Sequence, residues 1–243
     1  MIDKNFQRTI CLPEGEAILV NKPLKWTSFD VVNNIRNFFN SNFGIKKIKI
    51  GHAGTLDPLA TGLLIICVGK YTKRIVDFQS LEKVYEGTFT LGATTPSFDM
   101  ETKIDKSYET NHITKEMMNQ ATQNFIGEIQ QIPPLFSAIK IKGKRAYNYA
   151  RKKEDIKLAP RIVDIKEFNI TNINLPKVDF FVRCSKGTYI RSLARDFGNE
   201  LKSGAYLSTL CRTQIGEYKL ENAFEIEQLK EFLKDVGIKN SLT

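Results

Sequence analysis

Gly51-His52-Ala53-Gly54-Thr55-Leu56-Asp57-Pro58-Leu59-Ala60-Thr61-Gly62 sets a single carboxylate on a glycine-punctuated turn between two apolar stretches. Upstream, residues 45–50 alternate Ile and Lys and read as a short strand; downstream, residues 63–68 form an apolar run that has to be buried. The loop is therefore pinned at both ends. Pro58 turns Asp57 away from helical backbone, while Gly51, Gly54 and Gly62 permit tight turns or close approach of a ligand to the main chain. Asp-Pro is also an ordinary turn initiator, so the loop taken alone favours a structural role for Asp57. A P-loop ends in Gly-Lys-Ser/Thr, and that ending is missing, which argues against nucleotide hydrolysis.

Working outward, residues 17–20 form a short apolar strand. Thr27 with Asp30 three residues later sets a capping box for a helix whose Val31, Ile35, Phe38 and Phe39 share one face. The turn between them, residues 21–26, is placed to support the Asp57 loop. Residues 83–92 read as a strand with Tyr85, Gly87, Phe89 and Leu91 on one side, and residues 113–126 as a helix with Met117, Ala121 and Phe125 in register. The polar, aperiodic residues 93–112 lie between them, and a long loop of this kind is often functional. Then come a strand at 180–184, a helix at 189–201 burying Ile190, Leu193, Phe197 and Leu201, a strand at 206–215 and an amphipathic helix at 225–233. Strands and helices do not alternate regularly, so the expected class is α+β rather than a doubly wound parallel sheet.

With 243 residues and 42% hydrophobic content, the chain can bury the core of one large domain, or of one domain with a small appendage. Its 36 basic against 27 acidic residues leave a net charge of +9, which favours a polyanionic partner, RNA or an acidic membrane surface. No apolar run approaches the ~20 residues that span a bilayer, and Met1-Ile2-Asp3-Lys4 lacks the apolar core of a signal peptide; the expectation is a cytoplasmic protein with no membrane partner. Cys11, Cys67, Cys184 and Cys211 form no Cys-x-x-Cys pair and read as small hydrophobes, and His52 and His112 are the only histidines. Neither a metal site nor a disulfide is expected.

An ordered set of further pieces accompanies the loop. They are Asn21-Lys22-Pro23 with Thr27-Ser28 and Asp30, Gly69 with Thr72-Lys73, Lys83-Val84-Tyr85, Pro133-Pro134 with Ser137-Ala138 and Lys140, Tyr149-Ala150-Arg151, Cys184-Ser185-Lys186-Gly187-Thr188-Tyr189-Ile190-Arg191, and Leu210 with Arg212. In order and spacing the whole resembles the TruB family, bacterial synthases that convert uridine 55 in the T arm of tRNA to pseudouridine. The resemblance runs through most of the chain. It implies a central mixed, mainly antiparallel sheet flanked by helices and loops, in a single catalytic domain over residues 1–243, with a thumb-like basic insertion at about 130–153 that clamps RNA.

The chemistry implied is cofactor-free: a C–N glycosidic bond breaks, the uracil turns within the site and rejoins through C5, with no redox change. It needs a carboxylate able to attack the ribose C1′ or the base C6 of a nucleotide drawn from its stack. By resemblance Asp57 is that carboxylate, and Arg191 is the cation that pairs with it. An arginine in the first turn of a helix opposes the helix dipole, a misfit that itself calls for another partner. Tyr85 matches the tyrosine that stacks on the target base, Tyr189 and Leu210 match residues lining the uridine pocket, and His52 matches the histidine that packs into the rearranged T loop; read without the family, Tyr85 is a half-buried strand aromatic and His52 a turn histidine. Lys140, Lys142, Lys144, Arg145, Arg151, Lys152 and Lys153 are interleaved with Tyr147 and Tyr149 without an acid, and with Lys186 they are the expected contacts to RNA phosphates.

The partner implied is the tRNA T stem-loop, with no obligate protein partner and a monomeric state. An RNA-binding or tRNA-folding role with catalysis secondary stays open as the alternative, because a basic, aromatic surface serves it equally well. Many TruB proteins continue into a C-terminal domain of the PUA type; this sequence ends soon after the helix at 225–233, so a full PUA domain is not expected. Tyr206 and Cys211 stand where the family often has His and Arg, which puts one or two RNA contacts in doubt.

Overall fold

The computed structural model describes residues 1–6, 10–11, 14–137, 139–141, 143–151, 156, 158–236 and 238–239, with backbone alone for 10, 11, 140, 141, 144, 145, 148, 150, 151, 238 and 239. The chain forms two compact units, the first of Met1–Tyr85 with Cys211–Thr243 and the second of Glu86–Leu210. Two strands, Lys83–Leu91 and Ala205–Ile215, run from one unit into the other, so each contributes to both.

The first unit is organised around the strand Ala60–Val68. Glu16–Lys22 pairs with it antiparallel from Glu16↔Val68 to Lys22↔Gly62, Ile50–His52 pairs with its last three residues, and Ala205–Ile215 is a further neighbour. Side chains alternate across a sheet with period two. Ile18, Val20, Leu64, Ile66 and Val68 therefore pack on one face against Val31, Ile35 and Phe39 of the helix Ser28–Phe43 and Leu229 and Leu233 of the helix Ile226–Asp235. Ala17, Leu19, Leu63, Ile65 and Cys67 pack on the other face with Phe78 and Ile215. Burial on both faces is why residues 63–68 are continuously apolar. Cys67 behaves as the expected small hydrophobe, and burial pushes its thiol up to about 12.

The Thr27–Asp30 capping box forms as expected: Thr27 Oγ1 accepts from the Asp30 amide at 3.0 Å and Asp30 Oδ2 from the Thr27 amide at 2.8 Å. The helix ends at Gly44, whose φ of 66° supplies the left-handed cap. The strand expected over 45–50 is not there. Ile45 and Ile48 pack into the core from irregular backbone, and the ladder begins only at Ile50, where Val68 offers a partner.

The second unit holds strands in the order Gly127–Gln131, Arg161–Asn174, Lys177–Cys184, Lys83–Leu91 and Ala205–Ile215, the first three paired antiparallel, with the helices Lys115–Gln123 and Ile190–Glu200. Phe89, Phe168, Phe180 and Phe197 make its aromatic core, the Phe89 and Phe180 rings stacked with centroids 4.0 Å apart. Thr114 caps the first helix, which begins two residues later than the expected 113 and ends at Gln123 rather than 126; Met118, Ala121 and Thr122 are its buried residues, whereas Met117 is exposed. The fold is α+β and mainly antiparallel, as expected.

The basic segment begins as a hairpin, Lys140–Ile141 antiparallel to Lys144–Arg145, and continues into the helix Ala146–Arg151. Lys142, Lys152 and Lys153 lie outside the described residues, as do the side chains of Lys140, Lys144, Arg145 and Arg151.

Candidate active site

In the first unit the loop carrying Asp57 is tied down along its whole length. Its entry continues the ladder through the Ala53 amide to the Ile65 carbonyl, 2.9 Å. Leu56 is then gripped by the buried Ser28 hydroxyl, which accepts from the Leu56 amide at 2.8 Å and donates to the Leu56 carbonyl at 3.2 Å. Beyond Asp57, the Ala60 amide closes a turn onto the Asp57 carbonyl at 3.1 Å, and the Lys25 amide holds the Pro58 carbonyl at 2.8 Å. At the exit, Asn21 Oδ1 accepts from the Gly62 amide at 3.2 Å. The turn at 21–26 thus supports the loop, as the sequence implied. Asp57 itself is half-buried at the tip.

Gly62 is needed for two reasons. Its φ is 108°, and a Cβ there would stand 2.4 Å from the Arg212 carbonyl oxygen and 2.5 Å from its nitrogen. The side chain of Arg212 is buried, with Nε donating to the Leu63 carbonyl at 2.8 Å and a terminal nitrogen to the Gly54 carbonyl at 3.0 Å. A second buried cation lies beside it. Lys22 has no exposed surface, and its Nζ donates to the carbonyls of Pro23 at 2.9 Å and Trp26 at 2.6 Å.

Burial lowers the Lys22 ammonium from 10.5 to about 8, Asp57 and Asp30 push it back up by charge attraction, and Arg212 acts with burial. At neutral pH Lys22 therefore stays charged. His52, half-buried in the strand before the loop, is lowered by burial and then by Arg212, so its ring is neutral at pH 7. Its Nδ1 is buried without a hydrogen-bond partner among the described residues. Neither Lys22 nor Arg212 was singled out for a role from sequence. The available signal was that Lys22 continues the inward face of Ile18 and Val20.

In the second unit, Arg191 is the second residue of the helix Ile190–Glu200 and only 3% exposed. Its Nε lies 3.7 Å from Asp99 Oδ2, and a terminal nitrogen donates to the Ser97 carbonyl at 3.4 Å. Asp99 is thus a partner for the arginine that sat awkwardly at a helix start. The polar segment 93–112 is what delivers it: Thr95 and Ser97 hydroxyls donate to the Asp99 carbonyl at 2.7 and 3.2 Å, and the Glu101 amide donates to Asp99 Oδ1 at 2.9 Å. Asp99 went unassigned in the sequence because one acid in an aperiodic polar stretch carries no pattern.

Tyr189 is the residue before that helix, half-buried, with its amide donating to Gln131 Oε1 at 2.8 Å. Lys186 is exposed in the turn before it. Tyr85 is buried near the start of the strand Lys83–Leu91 and is the last residue of the first unit's long segment, while the half-buried Leu210 is the last residue of the second unit. His52 and Asp57 belong to the first unit, Tyr189 and Arg191 to the second.

Comparisons with known proteins converge. Residues 40–190 match the profile described as TruB family pseudouridylate synthase, N-terminal domain. The chain is 56% identical to tRNA pseudouridine synthase B of Phocaeicola vulgatus over 90% of its own length and 94% of that protein. It is 53% identical to tRNA pseudouridine synthase B of Flavobacterium johnsoniae, with 91% and 97% covered. Among solved structures it resembles a chain in the crystal structure of a Cbf5–Nop10–Gar1 complex, with a TM-score of 0.69 and 27% identity over 98% of its length, and spans 64% of that chain. It also resembles a chain of an archaeal box H/ACA Nop10–Cbf5 complex with a TM-score of 0.65 and 25% identity, spanning 57% of it.

Proposed function

The chain belongs to the TruB family of pseudouridylate synthases, and from that premise we propose that it isomerises uridine 55 in the T arm of tRNA, with Asp57 as the nucleophile. The observation that carries the reading is the mounting of Asp57, half-buried on a loop fixed by Ser28, Lys25, Asn21 and Arg212. A carboxylate attacking C1′ or C6 must be held still while the uracil leaves and returns, and it must be ionised. The irregular but well-bonded loop meets the first demand. The Lys22 charge, which feels Asp57, favours the second.

The remaining roles are carried over from the resemblance. Arg191, already braced by Asp99 within its own unit, balances the charge of Asp57. Tyr85 stacks on the uracil, Tyr189 and Leu210 line its pocket, and His52, neutral at pH 7, fills space in the opened T loop. Drawing a base from its stack costs a few kcal/mol, which such surfaces recover. The basic segment with Lys140, Lys142, Lys144, Arg145 and Arg151, together with Lys186, grips phosphates. The rearrangement is internal to one nucleotide and needs neither cofactor nor metal. The protein acts as a cytoplasmic monomer, its units serving as one catalytic domain.

The test is to incubate a T-arm stem-loop RNA with wild type and Asp57→Asn, then map pseudouridine by carbodiimide modification. Wild type forms pseudouridine at position 55; the variant binds the RNA equally and forms none. Turnover by the variant near the wild-type rate would remove Asp57 from the chemistry.

A further inference from the structure

Gln131 ends the strand Gly127–Gln131 and is 1% exposed. Its Oε1 accepts the Tyr189 amide at 2.8 Å, which fixes the carboxamide's orientation and turns Nε2 the other way. There Nε2 is buried with no hydrogen-bond partner among the described residues. A buried orphan donor is destabilising. An apolar side chain of similar shape would remove that orphan but take away the acceptor of the Tyr189 amide, so the residue is kept for what its oxygen holds.

The benefit lies on the oxygen side. Tyr189 caps the helix Ile190–Glu200 by position but makes no side-chain cap hydrogen bond. The helix entry is held from outside instead. Besides the Gln131–Tyr189 bond, the Ile132 carbonyl accepts from the Ser192 hydroxyl at 2.8 Å and from the Arg195 guanidinium at 3.3 Å. Two consecutive residues thus fasten the first turn and a half of the helix, and Arg191 lies inside the fastened stretch. Of these bonds, only the one from Gln131 grips the residue before the helix, where a backbone rotation would swing Tyr189 and the first turn together.

We propose that Gln131 is a positioning residue of the reaction: it orients the main chain of Tyr189, and through it the helix turn that presents Arg191. The proposal rests on the assignment of Tyr189 and Arg191 to the uridine-isomerising site made above. Its signature is a loss in kcat with RNA affinity kept, because the side chain is buried and acts through its neighbours.

The experiment compares wild type, Gln131→Met and Gln131→Glu on the T-arm stem-loop RNA, with single-turnover rates, RNA Kd and thermal melts measured for each. Met keeps the volume and removes both polar groups; Glu keeps the acceptor oxygen. The expected result is a folded Gln131→Met variant with Kd within twofold of wild type and a rate at least tenfold lower, and a Gln131→Glu variant within threefold of wild type. A wild-type rate for Gln131→Met overturns the proposal. So does a Gln131→Met variant that melts early or binds RNA poorly, which would make Gln131 a support of the fold only, and so does a Gln131→Glu variant no better than Met. If wild type itself forms no pseudouridine, the functional reading fails; if wild type is active and the variants behave in one of these overturning ways, only the inference about Gln131 fails.

Discussion

Replacing Lys22 by Met tests the electrostatics beneath the Asp57 loop. In the folded protein the Lys22 ammonium titrates at about 8, in the unfolded chain at its ordinary 10.5. Below pH 8 it is protonated in both states, and the folded state bears the full penalty of burying the charge. As pH rises from about 8 to 10.5 the folded state releases the proton first, so stability increases; above 10.5 the penalty is gone. At about 1.4 kcal/mol per pH unit, the residue makes wild type gain roughly 2.5 kcal/mol between pH 7 and pH 10. Met, of similar length and without charge, gains nothing. At pH 7 the variant escapes the penalty but strips the Pro23 and Trp26 carbonyls of a charged donor, each such bond being worth about 1.5–3 kcal/mol, so the two proteins end within roughly 2 kcal/mol of each other. The assay is urea unfolding of both at pH 7 and pH 10. Other lysines and the tyrosines titrate equally in the two proteins and cancel in the difference. Wild type should gain on Lys22→Met by about 2.5 kcal/mol over that range. A difference constant to within about 0.5 kcal/mol would show that Lys22 keeps its ordinary affinity for protons, and with it the account of a buried charge under the loop would fall.

Gly62→Ala combines backbone strain with a Cβ 2.4 Å from the Arg212 carbonyl oxygen and should cost roughly 3 kcal/mol or more, a fall in Tm of about 6–12 °C. Gly54→Ala, with φ of 100° but its nearest contact an ordinary 3.5 Å from the Arg212 guanidinium, should cost only the strain, roughly 1–2 kcal/mol; equal melting temperatures for the two would refute the close-approach argument. Replacing Lys142, Lys144 and Arg145 together by Ala should weaken binding of the T-arm RNA and make the slope of log affinity against log salt shallower by about 2, from roughly 0.7–0.9 for each phosphate no longer neutralised. An unchanged slope, measured by filter binding across a salt series, would take these residues off the phosphates.

The sequence shows most where one local rule acts undisturbed. Thr27 and Asp30 announce the helix Ser28–Phe43 because a capping box is complete within four residues. The Asp57 loop is visible because glycine and proline punctuate it. The strand Arg161–Asn174 escapes such a reading, although it is the longest among the described residues. Its inward residues Val163, Ile165 and Phe168 step by two and then by three, since the register shifts between Ile165 and Glu167, and Ile162 is exposed; a single bulge is enough to break the alternation that identifies a strand. The same limit applies to the site. Asp57, Arg191 and Tyr85 come from an ordered motif set, whereas Asp99 and Gln131 become meaningful only when the fold brings residues 92 and 58 positions apart in sequence together with Arg191 and Tyr189.

Two buried cations under one loop answer a problem that irregular backbone creates. A loop that presents Asp57 away from the ladder leaves main-chain carbonyls that no neighbouring strand can satisfy, and buried unpaired carbonyls are costly. Lys22 supplies donors to Pro23 and Trp26 in the turn that supports the loop, and Arg212 to Gly54 within the loop and to Leu63 in the strand that follows it. Gln or Asn could bond carbonyls as well, and without the desolvation penalty that draws Lys22 down to about 8. What a neutral amide lacks is charge. The attraction between Lys22 and Asp57 is mutual, so a cation kept charged at that expense also favours the ionised carboxylate that the proposed nucleophilic attack requires. The choice of Lys over an amide at position 22 is therefore hard to explain by stability alone and simple to explain by the role proposed for Asp57.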